Sequence, residues 1–217
     1  MPYKTICVSS GHGKFVRGAS SDMLDEVDEA RRMVEQLAIE LEARGVAVFT
    51  FHDNTSHDQN TNLNTIVNWH NSKTRELDIS VHYNAFEQTA SPRGTETLYV
   101  TQGALAGEVS KAIASVGFIN RGAKKNTGLF FLNCTDMPAL LLEICFVDSE
   151  GDVDIYKPNF AAIASAIADV LGGVQNTGTT PPETTTPPQP AALPRIDIEV
   201  SGEVLIYVNG EQVGTKG

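Results

Sequence analysis

The chain has 217 residues, 41% of them hydrophobic and 20% charged, with a formal charge of −11. That composition allows one ordinary domain with a buried core and a small appendage. The acidic balance argues against a nucleic-acid partner, because phosphate binding needs clustered Lys and Arg, and against simple electrostatic adhesion to an anionic surface. Cys7, Cys134 and Cys145 are odd in number and irregularly spaced, so they make neither a disulfide framework nor a Cys-type zinc site. Cys7 and Cys145 lie in apolar runs and read as small buried hydrophobes, which suits a reducing compartment. No apolar stretch has the pattern of a signal peptide or the length of a membrane span, so no membrane partner is expected.

In chain order, Thr5–Ser9 (TICVS) reads as a short strand. Asp25–Arg44 reads as a helix stopped by Gly45, a residue suited to the position after a helix end. Val46–Phe51 is β-branched and aromatic, hence a strand. Asn60–Ser72 carries Leu63, Ile66, Val67 and His70 at helical spacing. Leu77–Tyr83 and Thr95–Val100 are predicted strands, and Leu105–Ser115 a helix. Leu129–Leu132 and Ala139–Phe146 are predicted strands, and Asn159–Leu171 is an Ala/Ile-rich helix ended by Gly172 and Gly173. This alternation predicts an α/β fold: a mostly parallel twisted sheet of about six strands with helices on both faces. From Val174 to Pro194 Thr and Pro dominate, which reads as a linker with extended backbone. Beyond it, residues 195–217 alternate in short runs around Asn209-Gly210, a hairpin signal, and read as a small C-terminal β module. The expected domains are therefore 1–173, a linker at 174–194, and the module at 195–217.

Five histidines divide by position. His12, in SSGHG, follows the first strand directly. His82, in DISVHYNA, closes another. Ligands of open α/β sheets bind beyond the carboxyl ends of the strands, so these two can converge. His52 and His57 fall in a polar loop and read as surface, whereas His70 continues a helical apolar face and reads as core rim. No Cys fits as a third ligand, so it must come from Asp or Glu. The helix stripe Val27, Ala30, Val34, Leu37, Ala38 and Leu41 is extended at its first turn by Glu26, which points Glu26 inward near the strand ends. A carboxylate in a first turn is also favoured by the helix dipole alone. Glu143 is the strongest oddity, set among Leu141, Leu142, Ile144 and Cys145. Strand alternation puts Leu141, Glu143 and Cys145 on one face. Burying a carboxylate there is costly unless it is paired, for example with Arg121 or Lys124, or used. Apolar surroundings would raise its pKa toward the range of a general acid/base. Two His and one Glu holding Zn2+, with a fourth position for water, suit amide hydrolysis. No HExxH, GxSxG or P-loop pattern is present.

SSGHG, the first-turn Glu26, SVHYNA and LLLEICFVDS, in that order, resemble the Amidase_3 type of zinc N-acetylmuramoyl-L-alanine amidase found in bacterial autolysins and phage endolysins. RGTETLY (Arg93–Tyr99) and NRGAKKNTGLFFLN (Asn120–Asn133) resemble the family's pattern between the second His and the catalytic Glu, and the likeness covers roughly residues 3–172. Lys14 stands where the family has a second glycine. The resemblance implies His12, Glu26 and His82 as zinc ligands, Glu143 as acid/base, and residues 121–127 along the substrate groove. The implied substrate is peptidoglycan, cut between N-acetylmuramic acid and L-alanine. Two other readings stay open: a zinc peptidase cutting within the stem peptide, and a non-catalytic wall-binding protein on the same fold. The architecture further resembles a phage endolysin, made in the host cytoplasm and released to the wall by a holin. The C-terminal module is expected to bind a cell-wall polymer or to mediate self-association.

Overall fold

The computed structural model describes residues 2–174, with the backbone of two later strands at 204–208 and 211–216. Met1–Asn176 forms one compact unit and Thr177–Gly217 another. The expected linker, beyond its first residue, and most of the expected module lie outside the described residues. The elements in order are β1 (Thr5–Ser10), α1 (Glu26–Glu42), β2 (Ala47–Phe51), α2 (Gln59–Asn71), β3 (Leu77–Asn84), β4 (Thr95–Tyr99), α3 (Gly103–Ala114), β5 (Asn120–Lys125), α4 (Phe130–Cys134), β6 (Ala139–Phe146) and α5 (Glu150–Gly172). Strands β7 (Val204–Val208) and β8 (Glu211–Lys216) pair antiparallel.

The first unit is built on a six-stranded sheet in the order β2-β1-β3-β6-β4-β5. Every neighbouring pair is parallel except β4 and β6. The mostly parallel α/β reading therefore holds. Helices cover both faces. Beneath α1, α3 and α5 the main core takes Ile6, Val8, Ile79, Leu140, Leu142 and Ile144 from the sheet. Beneath α2 and α4 a smaller core gathers Ile66, Val67, Phe131, Leu132 and Leu141. Burial on both faces explains why β1 and β6 read as continuous apolar runs.

Helix α1 starts where it does because Asp25, in extended backbone, accepts the N–H groups of Val27 and Asp28. It ends before Gly45, whose φ of +78° suits glycine. That start fixes the rotation of the first turn, and with it the direction of Glu26.

Three sequence expectations are corrected and one strand is added. Leu129–Leu132 is not a strand; Phe130–Cys134 forms one helical turn that buries Phe131 and Leu132. A short apolar run has no period long enough to separate the two states. Asn120–Lys125, a run with no β-branched residue, is the edge strand β5, held by pairing with β4. Helix α5 begins at Glu150 rather than Asn159, because Ser149 caps it and Pro158 sits on its exposed side, where the lost hydrogen bond faces water. Finally, an irregularity in the β3–β6 pairing beyond His82 breaks the alternation, so Cys145 joins Ile144 in the main core instead of sharing a face with Leu141.

Candidate metal centre

His12 follows β1 and is held beside β3 because the Gly11 N–H donates to the Val81 carbonyl at 2.9 Å. His82 lies near the end of β3, directly opposite Glu143 of β6. Glu26 reaches the same point from the first turn of α1 and is only 3% exposed. Its Oε2 accepts the Ala19 N–H at 2.6 Å, and its Oε1 accepts the Tyr83 N–H at 3.1 Å. Oε1 also lies 3.0 Å from His82 Nδ1 and 3.6 Å from His12 Nε2. The two imidazoles meet edge to face, with centroids 5.1 Å apart. One donor atom from each of His12, Glu26 and His82 can be chosen so that all lie within 4.8 Å of one another. The three residues expected as ligands thus converge, although they come from three separate segments.

Two glycines make room for them. A Cβ on Gly11 would fall inside the His82 ring, and one on Gly18 would collide with the Glu26 carboxylate and the His12 ring.

Electrostatics divides the three. Burial would raise the Glu26 pKa, but its hydrogen bond with His82 and the two imidazoles hold it below the ordinary value. Burial and the neighbouring His82 push His12 down. Burial also works downward on His82, yet its hydrogen bond with Glu26 outweighs this and raises it. His12 Nδ1 is buried without a hydrogen-bond partner among the described residues. Two imidazoles and a carboxylate form a donor set that fits a borderline cation such as Zn2+.

Residues 6–172 match the family Amidase_3, described as N-acetylmuramoyl-L-alanine amidase. This chain is an Amidase_3 protein. Among relatives, an uncharacterised 38.4 kDa protein of Clostridium perfringens is 31% identical over 158 residues, 70% of this chain and 46% of that protein. The chain thus spans under half the length of that relative. The uncharacterised protein YqiI of Bacillus subtilis is 26% identical over 158 residues, 70% of this chain and 74% of YqiI. Among solved structures, the catalytic domain of the CD27L endolysin targeting Clostridia difficile superposes with a TM-score of 0.70 at 27% identity, covering 77% of this chain and 96% of that domain. The catalytic domain of CwlV, an N-acetylmuramoyl-L-alanine amidase from Bacillus (Paenibacillus) polymyxa, shares the fold at TM-score 0.66 and 24% identity, over 77% of this chain and 95% of that one.

In this Amidase_3 chain Glu143 lines the same cavity as His12 and His82, a space of about 430 Å³. Its Oε2 is buried with no hydrogen-bond partner among the described residues. Burial, with the charges of Glu26 and Glu96 adding to it and His82 opposing, raises its pKa to about 7. The ion pair with Arg121 or Lys124 that would make Glu143 merely structural is not formed. Arg121 Nε instead donates to Glu96 Oε2 at 2.7 Å. Glu96 stands opposite Glu143 in the β4–β6 pairing, a neighbour the sequence does not disclose because it depends on antiparallel register. The cavity's other flank is apolar, with Leu63, Ile66, Leu98, Leu129 and Phe130.

The remaining histidines stand apart from this cluster. His57 is exposed and stacks on Phe15 at 4.4 Å. His52, expected on the surface, is half-buried between Ser10 Oγ and Glu35, each at 3.0 Å. His70, expected at the core rim, is fully buried, with Nδ1 2.7 Å from Asp78 and Nε2 3.0 Å from Ser9 Oγ. Cys7, His70 and Asp78 also lie close enough to share an ion. That cluster is already balanced: Arg75 forks onto Asp78 at 2.8–3.1 Å, and burial and Asp78 push the Cys7 thiol up to about 12. With Asp78 engaged by Arg75 and both His70 nitrogens bonded, this cluster is an internal tie.

Proposed function

We propose that the chain hydrolyses the amide bond between N-acetylmuramic acid and the L-alanine of the peptidoglycan stem, with Zn2+ held by His12, Glu26 and His82 and Glu143 as acid/base. The observation that carries the proposal is the unpaired, raised carboxyl of Glu143 lining the cavity on which the three donors converge. Zn2+ bound there supplies Lewis acidity, polarising a carbonyl and making water acidic enough to attack at neutral pH. Glu143 takes the proton from the attacking water and passes it to the leaving nitrogen, which departs as the free amine of L-alanine. A pKa near neutrality lets one group do both. Glu26, anchored by the Ala19 and Tyr83 N–H groups, holds His82 by a hydrogen bond at 3.0 Å and stands 3.6 Å from His12. The apolar flank fits the alanine methyl and shields the amide from bulk water. The likeness to the catalytic domain of the CD27L endolysin supports extending the proposal to cell-wall lysis.

Digestion of purified cell walls tests this. New L-alanine N-termini and unsubstituted muramic acid carboxyls are expected. New termini elsewhere in the stem would instead mark a peptidase. Glu143→Gln should lower the rate about a hundredfold or more while the zinc content stays at the parent level. Parent-rate digestion by that variant would overturn the role of Glu143, and a zinc-free parent that digests walls would overturn the metal assignment.

A further inference from the structure

The loop after β3 carries Phe86, a phenyl ring 75% exposed, four residues beyond His82. Its backbone is firmly held. The Phe86 N–H donates to Asp148 Oδ2 at 2.7 Å, the Thr89 N–H donates to the Asp148 carbonyl at 3.0 Å, and the Glu150 N–H donates to the Thr89 carbonyl at 2.9 Å. The ring is therefore presented to water on a fixed frame. The Arg93 guanidinium lies 4.9 Å from its centroid and 5.6 Å from that of Phe146, and Arg121 lies 5.1 Å from Phe146. Arg121 leads through Glu96 to Glu143. Three cation–ring contacts and one ion pair thus lead from the exposed ring to Glu96, the register neighbour of the proposed acid/base.

Arg93 sits beside this ring. Its Nη2 donates to the Glu87 carbonyl at 3.0 Å, the Glu87 carboxylate stands 3.9 Å away in the open, and its Nε is buried with no partner among the described residues. In a chain of charge −11, a cation beside an exposed ring is a specific device. An aromatic face takes the C–H face of a pyranose, and a guanidinium at its side takes a carboxylate or acetamido oxygen. A second copy of the chain fits poorly, because Glu87 and Gln88 flank the ring and stable interfaces need about 1,200 Å² or more.

We infer that Phe86 and Arg93 form a glycan-strand subsite, binding a sugar ring of the peptidoglycan backbone beyond the muramic acid being cleaved. This rests on the amidase reading, since the glycan must leave the cleaved bond on one side and the peptide on the other. Muramic acids already stripped of peptide carry a free lactyl carboxylate, the anion that Arg93 would hold.

The test is calorimetric binding of peptide-free glycan strands to the zinc-loaded full chain. Phe86→Ala should weaken binding about fivefold or more, and Phe86→Trp should retain it. Arg93→Ala should lose the preference for these strands over chitin oligosaccharides, which lack the lactyl carboxylate. Unchanged binding by Phe86→Ala overturns the inference. So does a parent that binds no glycan, or a parent dimer that the same variant dissolves. Release of L-alanine termini is scored separately, so loss of glycan binding with intact cleavage refutes the subsite alone.

Discussion

At Glu143 a carboxyl that ordinarily ionises at 4.5 is held up to about 7, first by burial. The unfolded chain therefore gives up this proton at a lower pH than the folded one. Ionisation then costs the fold stability, from nothing below about pH 4.5 to its full extent above pH 7, with an upper bound of about 3 kcal/mol. Metal-free Glu143→Gln should consequently melt above the parent at pH 8, and the gap should close by pH 5. Calorimetric melts at both values check this. Activity has the opposite slope, because a general base must be ionised: the rate should rise with pH, with a midpoint at or below 7 once a bound cation lowers the carboxyl further. The two glycines give an independent expectation. Gly11→Ala and Gly18→Ala should each weaken zinc binding more than tenfold in chelator competition, because a methyl group displaces His82 or Glu26. Gly107→Ala, where a new Cβ meets nothing within 4 Å, should leave it unchanged. His12, His82 and Glu143 were legible in the sequence because strand ends and a lone charge in an apolar run are local signals. Gly18, Glu96 and Phe86 were not, since each matters through a segment that only folding brings near.

Among the elements, α5 is tied to the sheet by Asp152 in its first turn. The carboxylate accepts the N–H groups of Arg93, Gly94 and Phe146 at 2.9–3.1 Å, joining the start of β4, the end of β6 and the helix. Asp152→Ala would strand three backbone donors. A loss of about 2–4 kcal/mol is expected in urea unfolding, with Asp152→Asn costing less because one acceptor oxygen remains. This joint also explains what could be read in advance. β1, β3, β6 and α1 announce themselves, since buried parallel strands and an apolar stripe leave strong patterns. β5 does not, because its strand state comes from β4 rather than from Asn-Arg-Gly-Ala-Lys-Lys. The first turns of α5 were hidden behind Pro158, whose cost is small only because it faces water. Phe130–Cys134 was misread because five residues are too few for periodicity to show.

For the molecule as a whole, all of the candidate site lies within the compact unit Met1–Asn176. Truncation after Asn176 should leave a folded protein that hydrolyses soluble muramoyl-peptides at the parent rate. Any loss on intact walls alone would assign residues 177–217 to wall binding. Collapse of soluble activity would place them in the catalytic fold.

The buried tie among Ser9, His70, Asp78 and Arg75 has a bearing on how the chain would take up an ion. It clamps β1 to β3 deep in the sheet, so the strands bearing His12 and His82 are aligned with no help from an ion. Chelation should therefore empty the protein while its far-ultraviolet circular dichroism stays native, and added zinc should restore full activity at once. On the proposed zinc mechanism, such a chain would accumulate inert during metal starvation and be switched on by ion supply alone, with no refolding step in between.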